Sequence, residues 1–135
     1  MSSIKEKKNR PFKDNQTGYH RSAVNILAEW VTGVKEQPFC IEGSIAFVPD
    51  VTCFKDGILD CIYEVVHSHP LDGKKLGMMQ YYCYRNLTEL TVHEISTDYI
   101  LKQTEKPGRI ESIESYIIDP FEYEDIQNEL VKPII

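Results

Sequence analysis

The segment Val51 to Val66 constrains this chain more than any other, because two runs of β-branched and aromatic residues are joined there by Lys55-Asp56-Gly57. An Asp-Gly pair tolerates the positive φ angles of a two-residue hairpin turn, so Ile58 to Val66 is expected to return antiparallel to Val51 to Phe54. That hairpin puts a sheet at the centre of the fold. Upstream, Phe39 to Val48 is rich in Ile, Phe and Val and reads as a strand leading into Pro49-Asp50. Ahead of it, Ala23, Val24, Leu27, Trp30 and Val31 recur at three- and four-residue steps between His20 and Val34. This is the period of an amphipathic helix, and Gly33 sits near its end. Beyond the hairpin, Leu76, Met79, Tyr82 and Cys83 share one face of a second helix that Asp72 can cap. Leu90 to Ile95 alternates as a further strand.

The predicted order is therefore helix, strand, strand, strand, helix, strand. It describes an α/β (α+β) domain with a central mixed sheet flanked by helices. Asp98 to Gln103 is expected to add a turn of helix or strand. Past Pro107-Gly108, Ile110 to Ile118 reads as one more strand and Phe121 to Leu130 as an acidic helix. A chain of 135 residues, 41% hydrophobic, fills one core. Residues 1–17 carry Lys5, Lys7, Lys8, Arg10 and Lys13 without apolar periodicity and read as a flexible basic arm. Residues 18–106 form the core, and residues 107–135 extend the same domain.

A net charge of −6 argues against a uniformly basic surface that would coat nucleic acid, so any such binding is expected to be local. Cys40, Cys53, Cys61 and Cys83 form no C-x-x-C pair, and Met-Ser-Ser-Ile-Lys-Glu-Lys-Lys lacks the apolar stretch of a secretory signal. A reduced, cytoplasmic or otherwise intracellular setting follows as the expectation. No apolar run approaches the roughly 20 residues of a membrane span.

Asp50 and Glu64 carry the chemistry. They stand on adjacent predicted strands, and folding the hairpin can bring them to the same end of the sheet. Mg²⁺, a hard ion that keeps several waters, asks a protein for one or two carboxylates and perhaps a backbone carbonyl, for which Val65 is placed. Glu64 is flanked by Cys61-Ile62-Tyr63 and Val65-Val66, and a carboxylate buried among them needs a partner. A metal is one such partner. The plainer alternative is an outward-facing strand residue paired with a lysine.

Val48-Pro49-Asp50-Val51 followed by Tyr63-Glu64-Val65-Val66 resembles the PD-(D/E)XK signature of restriction-endonuclease-like nucleases. His67-Ser68-His69-Pro70-Leu71-Asp72-Gly73-Lys74-Lys75-Leu76 is similar to the E-x-x-x-T/S-H-x-x-D-x-x-K run of a small bacterial and viral branch that includes competence-associated nuclease-like proteins. His20-Arg21-Ser22-Ala23 and Ile26-Leu27-Ala28-Glu29 on the first helix fit that branch too. The resemblance covers His20 to about Ile95 and implies a restriction-endonuclease-like core and a viral or phage setting for some members. It also implies a metal-dependent nuclease acting on DNA. Asp50 and Glu64 would bind Mg²⁺ or Mn²⁺, Glu29 would join the metal shell through water, and His20 and Lys74 would contact substrate phosphate.

One departure matters. The family places a lysine two residues beyond the glutamate, and here Val66 stands there. Lys75, in the first turn of the second helix, is the candidate to supply that charge; its alternative is a solvated helix residue. His69 either touches a phosphate or an attacking water, or bonds backbone at the strand-to-helix turn. Glu94 reads as a surface or hairpin-pairing carboxylate, and Tyr82 as core filling. The rival to a nuclease is a nuclease-fold module that binds nucleic acid or protein without catalysis. A third reading is an assembly protein, and a homodimer would suit a chain this small on a duplex.

Overall fold

Helix α1 (Pro11–Val31) opens the fold, and its first residue suits the first helical position, where a missing N–H costs nothing. The structure is a computed structural model and describes residues 11–67 and 71–124. Part of the expected basic arm is thus helical, while residues 1–10 lie outside the described residues. Ala23, Val24, Leu27 and Ala28 form the buried stripe of α1. The helix stops short of Val34 because Thr32 turns left-handed at φ 53°, and the Gly33 N–H then closes on Ala28 O at 2.9 Å. Val34–Lys35 becomes strand β1 instead, paired with Thr52 and Val51. Gly33 makes this abrupt change feasible: a Cβ there would overlap Val51 Cγ1 and lie 3.2 Å from Thr52 O.

The single strand expected from Phe39 to Val48 is two short ones, β2 (Phe39–Ile41) and β3 (Ser44–Phe47), folded on each other. Glu42 and Gly43 hold φ 51° and 81°, the pair of positive angles that a type I′ turn needs. Strands β4 (Val51–Lys55) and β5 (Ile58–Val66) form the antiparallel hairpin read from the sequence, with Asp56 and Gly57 at φ 54° and 79°. Helix α2 (Gly73–Asn86) follows, and Asp72 caps it by accepting from the Lys74 N–H at 3.0 Å. Then come β6 (Leu90–Ser96), α3 (Thr97–Lys102) and β7 (Glu114–Ile118). The acidic helix expected from Phe121 onward falls mostly outside the described residues, as does everything after Glu124.

The main sheet runs β1-β4-β5-β6-β7, antiparallel except for the parallel pair β5 and β6 that α2 connects. This is a mixed α+β fold with a central mixed sheet flanked by helices. Period-two alternation sends Cys61 and Val65 of β5 to one face, where Leu27, Ala28 and Ile100 pack. It sends Ile62 to the other, beneath Met79 and Cys83 of α2 and Phe39 and Phe47 of the β2–β3 hairpin. Phe39, Phe47 and Tyr82 meet with ring centroids 4.8 to 5.6 Å apart, so Tyr82 is core. Arg85 of α2 pairs with Glu42 at the hairpin turn. Among the described residues, no helix is long and apolar enough to cross a membrane.

Candidate active site

The β4–β5 register pairs Val51 with Tyr63, and one step further along the chain sets Asp50 against Glu64. The Asp50 N–H accordingly donates to Glu64 Oε2 at 3.1 Å. Asp50 answers across the hairpin: its Oδ2 accepts the Val65 N–H at 2.8 Å. The two acids therefore hold each other's strand in place at one end of the sheet. Both bonds to the Asp50 side chain, this one and a 3.1 Å contact with His20 Nε2, fall on Oδ2, which leaves Oδ1 out of them.

His20 reaches the sheet end from α1, and Lys75 reaches it from the opposite layer. Lys75 is the third residue of α2, and its ammonium donates to Glu64 Oε1 at 2.6 Å. Lys75 of α2 is thus a cation in direct contact with Glu64. Lys74 is exposed beside it and makes no such approach. His69 lies outside the described residues. Glu29 is exposed and stands nine residues beyond His20, half a turn round α1, so the helix carries it away from the site.

Burial and like charge shape the acid–base properties. Glu64 is 3% exposed, and loss of water, followed by the neighbouring Asp50 carboxylate, pushes its carboxyl up to about 7; Lys75 and the Asp50 N–H oppose the rise. His20 is raised above its ordinary value chiefly by its hydrogen bond to Asp50, against a loss of water that lowers it. The nearby Glu64 charge and the Val65 backbone add smaller upward contributions.

Asp50 and Glu64 offer oxygen donors of the kind a hard cation takes, with Lys75 and His20 set against their charge. Among the described residues no three His, Cys, Asp or Glu side chains gather as a metal cage. Mg²⁺ does not demand one, since water completes its shell. If such an ion binds at this sheet end, Asp50 and Glu64 are the residues that would hold it.

Glu94 corrects the sequence reading. It is 3% exposed, register-paired with Glu64 across β5 and β6, and accepts the Tyr116 hydroxyl at 2.7 Å through Oε2. Its Oε1 is buried without a partner among the described residues. Alternation in Leu90-Thr91-Val92-His93-Glu94 carried the signal, since it places Glu94 on the face of Leu90 and Val92.

Fold and site together define a mixed α+β domain with two interlocked carboxylates and two cationic side chains at one sheet end. No family model, curated protein or solved structure matches the chain.

Proposed function

We propose that this chain is a restriction-endonuclease-like, metal-dependent nuclease that hydrolyses phosphodiester bonds of DNA. One observation carries the reading: His20, Asp50, Glu64 and Lys75, from four separate segments, meet within 2.6 to 3.1 Å contacts at one sheet end. A phosphodiester needs an activated water, neutralised transition-state charge and a protonated leaving oxygen. When bound, Mg²⁺ supplies Lewis-acid neutralisation of the phosphoryl oxygens. Lys75 holds its ammonium where negative charge builds as water attacks, and the Glu64 carboxylate accepts a proton from that water. His20, whose hydrogen bond to Asp50 favours its protonated form, donates to a phosphate oxygen or to the leaving group. Asp50 also fixes β5 through the Val65 N–H.

The test is cleavage of labelled single-stranded and duplex DNA with Mg²⁺ or Mn²⁺, beside an Asp50→Ala, Glu64→Ala double variant. Loss of cleavage in the variant supports the reading; equal or absent cleavage in both removes it. A second reading, a binding module without catalysis, draws on the Lys75 to Glu64 ion pair, which occupies an oxygen a metal would take. It predicts no calorimetric Mg²⁺ or Mn²⁺ heat that Asp50→Asn abolishes.

A further inference from the structure

A concave pocket of about 320 Å³ opens directly beside Asp50, lined by His20, Arg21, Val24, Asn25 and Lys35. Its walls come from two elements. His20, Arg21, Val24 and Asn25 fall at one-, four- and five-residue steps along α1 and share one side of it. Lys35 comes from β1, the edge strand beyond β4, and its ammonium donates to Asn25 Oδ1 at 2.7 Å, tying strand to helix across the pocket. Val24 is nearly buried and gives the pocket an apolar floor. Glu36 lines it as well.

Two properties define what fits. The first is charge: in a chain of net charge −6, the Arg21 guanidinium and the Lys35 ammonium line a pocket that Glu36 and Asp50 also line, so a phosphate would meet two cations in a pocket of balanced charge. Neither is ion-paired among the described residues. Arg presents a planar fork that grips phosphate oxygens in pairs, and Lys adds a point charge. The second is size: the volume lies at the bottom of the roughly 300 to 1,000 Å³ range of small-molecule pockets, room for one mononucleotide but not for a base pair. The contact with Asp50 makes this pocket continuous with the reacting centre.

We infer that this pocket seats the nucleotide next to the scissile bond, with Arg21 and Lys35 on its phosphate, so that the strand must be unpaired where it is cut. The inference rests on the nuclease reading and adds a substrate class to it: single strands, flaps and ends. The phosphate is either an internal diester or a terminal monoester, and the chemistry of recognition is shared.

The test uses the full chain with Mn²⁺ and three oligonucleotides: a single strand with a 5′-phosphate, the same strand with a 5′-hydroxyl, and a blunt duplex. Steady-state cleavage and the salt dependence of binding are measured for the parent, Arg21→Ala and Lys35→Ala. Both side chains are exposed, and circular dichroism checks that each variant keeps its fold. The expected result is cleavage of single strands over duplex. Arg21→Ala should raise KM about tenfold, the loss of one charged hydrogen-bonded contact, with kcat nearly unchanged. The slope of log K against log salt should fall by about 0.7 for each phosphate contact removed from a single strand. A preference for the 5′-phosphate identifies the monoester, and equal use of both single strands identifies the diester; either supports the pocket. An active parent whose KM and salt slope ignore both substitutions, or that prefers duplex, overturns the pocket and leaves the nuclease intact. A parent that cuts nothing overturns both.

Discussion

Replacing Glu64 with Gln should make the protein more stable at mildly alkaline pH while ending its activity. Glu64 is 3% exposed and faces Asp50, so its carboxyl binds a proton more tightly in the fold, at about 7, than at the ordinary 4.5. Because the folded state keeps a proton that the unfolded chain releases, stability falls as pH rises from 4.5 to about 7 and levels off above that. At about 1.4 kcal/mol for each tenfold of proton affinity, ionised Glu64 costs the fold about 3 kcal/mol. Below 4.5 it costs nothing. Glutamine removes that pH-dependent cost but has one acceptor where glutamate has two. Either the Asp50 N–H or the Lys75 ammonium then loses its oxygen, a penalty of about 1 kcal/mol. The net expectation is a Glu64→Gln variant more stable by about 2 kcal/mol near pH 8, which is about 6 to 8 °C in melting temperature for a chain this size. Near pH 4 it should be less stable by about 1 kcal/mol, so the two stability curves cross. Urea denaturation with metal chelated, repeated across that pH range, measures both limbs. Parallel curves for parent and variant would refute the reasoning, since they would mean that Glu64 carries no buried charge.

Lys75→Met removes the cation that offsets this charge. It should lower cleavage by about 10² to 10³, as loss of a group that stabilises transition-state charge does, and shift the pH-dependent loss of stability to higher pH; an unmoved pH midpoint in urea would dismiss the ion pair. For His20, imidazole proton resonances should titrate above 6.5 in the parent and drop in Asp50→Asn, because Asp50 is the main cause of the rise. The stabilisation linked to that bond should be complete below 6.5 and fade as pH passes the folded value, so a His20 titration indifferent to Asp50→Asn would contradict the contact. Gly33→Ala, which drives a Cβ into Val51, should cost about 1 to 3 kcal/mol in denaturant unfolding; a neutral result would show that β1 can shift away.

The hairpin that places Asp50 against Glu64 was readable because its turn chemistry is local: Asp56-Gly57 and two alternating flanks suffice. The β2–β3 hairpin used the same chemistry at Glu42-Gly43, but glutamate is a poor advertiser of positive φ, and the apolar run concealed the break. The start of α1 at Pro11 was hidden because its first turns lack an apolar stripe. Glu29 shows what the reading of the sequence overlooked, since nine residues along a helix is half a turn from His20, and helical geometry alone sets the two apart. Lys75 is the opposite case. Its approach to Glu64 depends on how α2 lies over the sheet, which no local pattern encodes, and only the family-like run pointed to it. Glu94 was misjudged by treating a charged residue as exposed against its own strand's alternation.

The ammonium at Glu64 is delivered by α2, and α2 is held down by the Phe39, Phe47 and Tyr82 rings and by Arg85 at the β2–β3 turn. The carboxylates belong instead to the sheet itself. The site thus draws on two layers, and an opening of the α2 layer would separate Lys75 from Glu64. Activity in this protein would then report the docking of one layer, and heat or a weakened aromatic cluster would silence it before the sheet melts.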